Sequence, residues 1–387
     1  MNADKVVIVG GGVIGCSTAY YLAKEGVDVT LFEKCELVSG ASGANQGAVA
    51  AQIYDPPLLD LVLGSQKLYK GLEELPIDFE LDKCGSMVCA TEKQQLPVLR
   101  EHSKKLRRSK VNVKLIEGDR LRKLEPSLST EILEASLCSE DFMVNPLKLT
   151  HAFAEAAKTL GSKINTYTQV NKVVLKNGRV DSVVTDKGKV ITDCAVISAG
   201  AWSPLIEGIG DLRLPIRPQR GQLFVTDAMP PSRFRLILDA DYLTTSVCSD
   251  STRKSGDPRI RRGVASVLSQ TKSGHWLIGS SRDFAEFDNR TALPDLKLIA
   301  SRSLKFLPYL RQVNVLRTFA SFRPYSGDDL PILGKVPNVE GLFLATGHCG
   351  NGVALAPITG KIITEIITKD KTSIKIDEFN CSRFDVN

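Results

Sequence analysis

Three glycines and one carboxylate near the start of the chain have the spacing of a dinucleotide-binding site. Gly10, Gly12 and Gly15 form a G-x-G-x-x-G pattern, and Glu33 follows Gly15 at close to the roughly 20 positions expected. The first glycine allows a tight turn, the second lets the backbone approach a pyrophosphate, and the third lets a helix pack against a strand. The carboxylate binds the ribose hydroxyls of adenosine. Both NAD and FAD need this chemistry, so the motif alone does not separate them.

The segments around these residues predict the elements that must position them. Val6 to Val9 is a β-branched run typical of a strand buried in a parallel sheet, and it leads directly into the glycines. Cys16 to Glu25 has helical spacing and stops at Gly26. Val27 to Phe32 then predicts a second strand that ends at Glu33. The glycine motif therefore occurs in its full strand, turn, helix and strand context.

Two further glycine-rich segments could bind anionic groups. Ser39 to Gly47 reads SGASGANQG, a small polar loop that could wrap a phosphate with backbone N–H groups and hydroxyls, or could be an ordinary flexible loop. In the last third, a predicted strand at Leu342 to Ala345 leads into a turn from Gly347 to Gly352. Pro357 stands where a first helical position is expected. A second glycine turn and helix N-terminus would form a ready anion site.

The middle of the chain predicts β-structure. Lys163 to Leu175 and Arg179 to Thr185 flank the turn pair Asn177-Gly178, which is a strong hairpin signal, and Cys194 to Gly200 is a further apolar strand. Two more strands, Val264 to Gln270 and Trp276 to Ser280, flank Ser273-Gly274 and fit an antiparallel sheet.

Composition bounds the class of protein. The 387 residues favour two interleaved domains, and 43% hydrophobic with 24% charged residues indicates a compact folded chain. The net charge of +6 is modest and lacks the dense basic stripe of a nucleic-acid-binding protein. Two local basic segments, His102 to Lys110 and Arg259 to Arg262, are either solvated faces or docking sites for a partner subunit or electron acceptor.

Cysteine usage and hydropathy indicate the compartment. The nine cysteines are scattered, and the closest pair, Cys84 and Cys89, has four residues between its members, so no C-x2-C clamp for a metal exists and we predict no metal site. An irregular odd set also argues against a disulfide framework and favours the reducing cytosol. We expect no transmembrane segment, because no run of about 18 apolar residues occurs. Peripheral attachment to a membrane through a partner stays open.

The motifs together resemble a known family. GGGVIG with Glu33, the SGASGANQG loop, the AGAWS turn, RPYSGDDLPILG and GHCGNGVALAPITG are similar to the FAD-dependent amino-acid and amine oxidoreductases of the glycine oxidase, D-amino acid oxidase and sarcosine oxidase group. The resemblance covers nearly the whole chain and is weakest at Leu58 to Ser136 and Thr245 to Arg262. Within the group, QTKSGHWLIGSSRDF and GHCGNGVALAPITGK are most similar to the flavin β subunits of hetero-oligomeric proline and hydroxyproline dehydrogenases and hydrogen cyanide synthase.

The resemblance implies FAD and an α/β fold. The expected architecture is a discontinuous Rossmann-like FAD-binding domain at residues 1–57, 145–215 and 323–387, with a substrate domain on a mainly antiparallel sheet at 58–144 and 216–322. The expected cofactor-binding residues come from the glycine motifs and from the strands and turns of the resemblance. They are Gly10, Gly12, Val13, Ile14, Gly15, Glu33, Lys34, Ser39, Ser42, Gly43, Asn45, Gln46, Gly47, Val173, Ala199, Gly200, Trp202, Gly347, His348, Gly350, Asn351, Gly352 and Val353.

Three residues are expected to act on the substrate or the reacting ring. Arg323 occupies the family's R-P position, where a guanidinium can bind a carboxylate through two hydrogen bonds. Tyr242 matches a tyrosine that lines the family's substrate pocket, although core packing is an equal alternative. His348 could face the flavin or be a satisfied structural histidine. Because no cysteine lies at Ser321 to Pro324, where the sarcosine oxidase branch attaches its flavin, we predict non-covalent FAD.

The resemblance implies oxidation of a C–N bond. The family transfers a hydride from the carbon that bears the amine to the flavin N5 and yields an imine. The favoured function is therefore a dehydrogenase of small or proline-like amino acids that passes electrons to a partner redox subunit. The alternatives are a self-sufficient oxidase that makes hydrogen peroxide, and a flavin electron-relay subunit with no substrate of its own.

Overall fold

The structure is a computed structural model that describes residues 5–210, 212–244 and 255–384. Within these ranges the helices are α1 (Val13–Lys24), α2 (Leu58–Tyr69), α3 (Gln95–Arg108), α4 (Gly118–Leu124), α5 (Pro146–Thr159), α6 (Asp241–Thr244), α7 (Pro258–Arg261), α8 (Leu293–Ser303) and α9 (Gly352–Lys369). The strands are β1 (Lys5–Val9), β2 (Asp28–Phe32), β3 (Ala48–Val49), β4 (Ser86–Ala90), β5 (Val113–Glu117), β6 (Glu134–Cys138), β7 (Phe142–Met143), β8 (Lys163–Asn165), β9 (Val170–Lys176), β10 (Arg179–Thr185), β11 (Gly188–Ile191), β12 (Cys194–Ile197), β13 (Arg217–Ala228), β14 (Leu236–Asp239), β15 (Val267–Gln270), β16 (His275–Gly279), β17 (Val315–Tyr325), β18 (Ile332–Lys335) and β19 (Leu342–Thr346).

The glycine motif follows the first strand of a six-stranded sheet. The strand order is β18-β19-β12-β1-β2-β8, and every neighbouring pair is parallel except β18 and β19. Ile8 of β1 lies opposite Val196 of β12 and Leu31 of β2, and all three side chains are buried. α1 packs against α5 and α9 on this sheet. The predicted parallel sheet of apolar strands is confirmed.

An eight-stranded sheet forms the other large layer. Its order is β17-β13-β16-β15-β14-β4-β6-β5, and all neighbours are antiparallel except β14 and β4. The hairpin predicted around Ser273-Gly274 is confirmed as β15 and β16. The α/β fold with a mainly antiparallel second sheet is therefore confirmed, whereas the domain boundaries stay a prediction.

The predicted hairpin around Asn177-Gly178 is confirmed, but the single strand predicted from Lys163 to Leu175 is wrong. β9 and β10 pair on either side of the turn, with φ of 53° at Asn177 and 75° at Gly178, as a type I′ turn requires. The predicted strand is two strands, because β8 joins β2 in the parallel sheet while β9 belongs to a separate three-stranded sheet. Tyr167, with φ of 51°, lies in the break.

The prediction for Pro357 is also wrong. α9 begins at Gly352, so Pro357 lies inside it instead of at its first position. Proline has no N–H for the carbonyl oxygen four residues earlier, which here belongs to Val353. The Tyr69 hydroxyl donates a hydrogen bond to that oxygen at 2.6 Å. A side chain from α2 thus replaces the missing backbone donor and lets the helix continue.

The basic segments are not uniformly exposed. His102 is buried on α3, with Nε2 2.9 Å from the Gln52 carbonyl oxygen, and Arg259 forms ion pairs with Asp241 and Glu92. His102 and Arg259 therefore form contacts within the protein and are not part of a solvated face. In the described ranges no helix is both long and apolar enough to cross a membrane.

Candidate active site

A cavity of about 360 Å³ opens beside the first glycine turn. Gly10 has φ of +110°, and a Cβ there would lie 2.6 Å from the Ser198 carbonyl oxygen. A Cβ on Gly15 would lie 1.9 Å from the Gly10 carbonyl oxygen. Side chains at these positions would therefore collide with backbone, and the predicted roles of both glycines have a steric cause.

Glu33 lines the same cavity with its carboxylate fixed by backbone donors. The Gly11 N–H donates to Oε2 at 2.7 Å, and the Cys35 N–H donates to Oε1 at 3.0 Å. Each oxygen keeps a further lone pair, because a carboxylate offers about four acceptor positions. The group is oriented at the end of β2, where ribose hydroxyls could bind to it.

The loop at residues 39–47 joins the two glycine turns. Ser42 Oγ accepts the Val13 N–H at 3.0 Å, at the first turn of α1, whose N-cap residue Gly12 contributes no side-chain cap. Asn45 Nδ2 donates to the Gly350 carbonyl oxygen at 3.3 Å. The loop therefore connects the N-terminal turn to the C-terminal turn across one side of the cavity.

The C-terminal turn forms the far end of the cavity. His348, Gly352 and Val353 line it, and Asn351 at the N-cap of α9 forms no side-chain cap. His348 is buried, with Nε2 3.1 Å from Thr359 Oγ1. Burial lowers the pKa of His348 to about 3, so its ring is neutral at pH 7. This geometry favours the structural alternative for His348.

Most of the predicted cofactor residues meet at the first cavity. The residues that line it are Gly10, Gly12, Val13, Ile14, Glu33, Lys34, Ser39, Ser42, Asn45, Ala199, Gly200, Trp202, His348, Gly352 and Val353. Gln46, Gly350 and Asn351 line a second cavity instead.

Five predicted cofactor residues line neither cavity: Gly15, Gly43, Gly47, Gly347 and Val173. At each of the four glycines, a side chain would meet neighbouring atoms at short distance. A Cβ on Gly43, for example, would lie 2.3 Å from the Val38 carbonyl oxygen. Val173 is buried in a hydrophobic cluster, and its N–H donates to the Glu207 carbonyl oxygen at 2.8 Å. The nearby cavity wall is formed by Thr168, Gln169 and Val170, which sequence reasoning missed.

The second cavity, of about 320 Å³, contains Arg323 and Tyr242. Arg323 lies on β17, with Nη2 donating to Ser280 Oγ at 2.5 Å and Nη1 donating to the Ser281 carbonyl oxygen at 3.1 Å. A Cβ on Gly221 of β13 would lie 2.4 Å from Nη1, so that glycine leaves the room which the guanidinium occupies. Of the predicted Thr245 to Arg262 insertion next to Tyr242, residues 245–254 lie outside the described ranges.

Three other residues of this cavity were not predicted. The Tyr54 hydroxyl donates to Asn351 Oδ1 at 2.9 Å, and burial raises the pKa of Tyr54. The Arg282 guanidinium lies 4.7 Å from the ring centroid of Tyr242. Asp329 also lines the cavity, and burial raises the pKa of its carboxyl. Two of the three lie in segments that carry the family resemblance, Asp329 in RPYSGDDLPILG and Arg282 in QTKSGHWLIGSSRDF, whereas Tyr54 left no signal in the sequence.

The two cavities adjoin. Ala41, Asn45, Ser321, Phe322 and Cys349 line both of them. The first cavity has the glycine turn, ribose acid and second helix N-terminus that an FAD molecule needs, and these residues fit that cofactor. The second has a positioned guanidinium for a carboxylate. The arrangement can hold a small carboxylate-bearing molecule next to the reactive end of a dinucleotide.

Known proteins resemble this chain along nearly its whole length. Residues 5–366 match the family described as FAD dependent oxidoreductase. The chain is 29% identical to hydrogen cyanide synthase subunit HcnC of Pseudomonas aeruginosa, over 98% of this chain and 96% of the relative. It is also 29% identical to glycine oxidase of Geobacillus kaustophilus, again over 98% and 96%. The crystal structure of L-proline dehydrogenase from P. horikoshii, 24% identical, has the same fold with a TM-score of 0.88 over 99% and 98% of the two chains.

Proposed function

The chain belongs to the FAD dependent oxidoreductase family and acts on amino acids with FAD as cofactor, and we propose that it is a dehydrogenase of small or proline-like amino acids. Bound FAD would supply the acceptor for a hydride from the carbon that bears the amine. The imine left by this transfer would be hydrolysed by water. The chain's own residues have to bind the carboxylate, orient the C–N bond and exclude bulk water.

The observation that carries the proposal is the position of Arg323. Arg323 lies on β17, which pairs with β13, and it lines the second cavity. Phe322, the preceding residue on β17, belongs to the wall that the second cavity shares with the cofactor cavity. A planar guanidinium binds a carboxylate through two parallel hydrogen bonds, which fixes direction as well as distance. Arg323 would therefore hold the substrate carboxylate so that the amine-bearing carbon points to the shared wall.

The apolar part of the wall of the second cavity suits an amino acid that carries an aliphatic side chain. Ile53, Leu58, Leu223, Leu238 and Val267 line the second cavity. Apolar walls exclude water and strengthen the interaction between Arg323 and a carboxylate, because the local dielectric constant is low. They support a substrate with an aliphatic side chain or ring, such as a proline-like amino acid.

A partner redox subunit is the proposed electron acceptor. The support is the similarity to HcnC, which is named as a subunit of a synthase. The equal similarity to a glycine oxidase supports the second candidate, a self-sufficient oxidase. A flavin relay without a substrate is a weaker proposal, because it gives Arg323 no role. We further propose non-covalent FAD and a cytoplasmic location.

The experiment is anaerobic mixing of the purified holoenzyme with L- and D-amino acids and N-methyl amines, followed by flavin absorbance. We expect bleaching by a proline-like or small aliphatic amino acid, whereas bleaching by none would contradict an intrinsic substrate site. Admitting air then separates the two candidates: slow recovery of colour supports the dehydrogenase, and fast recovery with hydrogen peroxide supports the oxidase.

The attachment of the cofactor has its own test. Acid denaturation should release the flavin into the supernatant, because no cysteine lies at residues 321–324. Colour that stays with the precipitated protein would contradict non-covalent binding.

A further inference from the structure

An irregular stretch of chain, residues 283–292, lies over one side of the first cavity, and we call it the outer segment. Asn289 lines the cavity. Phe287 stacks on Trp202, with ring centroids 5.2 Å apart, and meets Phe322 edge-on at 5.5 Å. Both of these rings line the cavity. The outer segment is therefore part of the wall around the cofactor, although Phe287 is 40% exposed.

The outer segment has little regular structure to hold it in place. It lies between β16 and α8, and its one backbone pairing in the described residues is the isolated bridge of Asp283 with Arg220 on β13. In that bridge the Arg220 N–H donates to the Asp283 carbonyl oxygen at 2.7 Å, and the Asp283 N–H donates back at 3.2 Å. A turn inside the segment adds one backbone hydrogen bond, from the Asp288 N–H to the Ala285 carbonyl oxygen at 3.1 Å, and side-chain contacts hold most of the remainder.

The Arg220 side chain supplies four of those contacts, all of them hydrogen bonds. Nε and Nη2 donate to the Asp283 carboxylate at 3.2 and 2.6 Å. Nη1 donates to the carbonyl oxygens of Asp288 and Arg290 at 3.3 and 3.0 Å. One guanidinium thus binds the start, the middle and the end of the stretch that carries Phe287.

Only an arginine can make this set of contacts. Its donors are spread around a planar group, whereas a lysine concentrates its donors on one nitrogen. Arg220 is 7% exposed, and a buried cation is stable only when it is paired and hydrogen-bonded. The guanidinium therefore depends on the observed position of the outer segment, and the outer segment depends on the guanidinium.

We infer that Arg220 is a positioning residue that keeps the outer segment closed over the FAD cavity, and that it thereby slows the release of FAD. It acts through Phe287, whose ring packs against the rings of Trp202 and Phe322. The inference rests on the cofactor cavity and not on the proposed substrate, because FAD release is measured without substrate.

The test compares holoenzymes of the unsubstituted protein and Arg220→Met well below their melting temperatures. After dilution, FAD release followed by flavin fluorescence should be about tenfold faster in the variant, because the loss of several hydrogen bonds to a charged group opens the segment. Trypsin should also cut after Arg290 about tenfold faster, since the side chain is 86% exposed while its carbonyl oxygen is bound by Arg220.

Arg235→Met is the matched control. Arg235 forms an ion pair with Asp82 at 2.7 Å and carries no bond to the outer segment in the described contacts. It should lower stability without faster FAD release and without faster cleavage after Arg290. If Arg220 had only a general structural role, Arg220→Met would behave like Arg235→Met, and trypsin cleavage would rise across the whole chain in both variants.

Two further variants keep the test decisive. Phe287→Ala leaves the hydrogen bonds of Arg220 in place and should release FAD faster even if Arg220→Met does not yield a folded holoenzyme. Arg220→Lys keeps the charge but cannot bind both carbonyl oxygens and Asp283, so we expect an intermediate rate. FAD release at the unsubstituted rate in Phe287→Ala, or in folded Arg220→Met, would overturn the inference.

Discussion

The two cavities are built on different principles. The first uses backbone: the glycine turns at residues 10–15 and 347–352, and the N–H groups that fix Glu33. The second uses side chains from strands and loops far apart in sequence, such as Tyr54, Ser280 and Arg323. A turn is formed by residues close together in the chain, so its requirements produce a recognisable spacing in the sequence. Side chains from distant segments meet only after folding, so a site that they form produces no such spacing.

This contrast predicts that added bulk at a glycine that shapes the first glycine turn removes the cofactor. Gly15→Ala should give the largest effect, because its Cβ would lie 1.9 Å from the Gly10 carbonyl oxygen. We expect the free energy of unfolding to fall by about 3 kcal/mol and FAD to be absent from the purified protein. Gly71→Ala is the control, since its nearest neighbour would be 3.6 Å from the new Cβ. Normal FAD content in Gly15→Ala would show that the turn tolerates displacement.

Removing the guanidinium should affect the second cavity alone. In Arg323→Leu, kcat/KM for the carboxylate substrate should fall about 100-fold while the Kd for FAD stays unchanged, because a buried partner of a charged group is lost. Arg317→Leu on the same strand, with an exposed side chain that lies over Phe319, should change neither quantity. Equal losses in kcat/KM and FAD affinity in Arg323→Leu would contradict the separation of the two cavities.

The pH dependence of stability tests whether His348, in the C-terminal turn, has a structural or a catalytic role. Its pKa is lowered to about 3 in the folded protein, whereas the unfolded chain has the ordinary value of about 6.5. The unfolded state therefore binds the proton first, and the contribution of neutral His348 to stability is present above pH 6.5 and is lost as the pH falls towards 3.

Between pH 7 and pH 5, the free energy of unfolding should fall by about 2 kcal/mol more in the unsubstituted protein than in His348→Asn. Urea denaturation of both proteins at the two pH values measures the difference. Identical pH dependence would mean that His348 is not held neutral. A pH-rate profile that loses a limb near pH 6.5 in the variant would restore the catalytic alternative.

Gly221 should produce the smallest effect and sharpens the comparison, because it is a glycine that serves the second cavity. In Gly221→Ala the new Cβ would lie 2.4 Å from Arg323 Nη1 and displace the guanidinium. We expect kcat/KM to fall about tenfold with unchanged FAD binding. Gly71→Ala, whose new Cβ would have its nearest neighbour at 3.6 Å and which lines neither cavity, is again the control. Unchanged kinetics in Gly221→Ala would show that Arg323 does not need its observed position.

The sequence was sufficient for the fold class and for much of the first cavity. Gly10, Gly12 and Glu33 lie within one strand, turn, helix and strand unit, so their spacing alone indicated their neighbourhood. The prediction of helix α9 failed in detail at Pro357, because the donor that compensates for proline is the Tyr69 hydroxyl on another helix. No local rule could have supplied that partner.

The second cavity was predictable only where the family resemblance pointed to a residue. Arg323 and Tyr242 were found in this way, and both line the cavity. Tyr54 and Gly221 were missed because each is an ordinary residue in its own segment, and Arg282 was missed although it lies in QTKSGHWLIGSSRDF. Their proximity depends on the pairing of β13 with β17 and on the placement of residues 51–54. Long-range register of this kind is not encoded in the spacing of one segment.

The order of strands in the six-stranded sheet has a consequence for biosynthesis. β12 lies between β1 and β19, so one of its edges pairs with the first strand described and the other with a strand that begins at residue 342. On the ribosome, β1 and β12 emerge well before β19. During that interval, the backbone N–H and C=O groups on the edge of β12 that later pairs with β19 have no strand partner. The turn after β19 is also the last part of the cofactor cavity to be made. We therefore expect the nascent chain to need protection from aggregation and to load FAD only after the turn that follows β19 has been made.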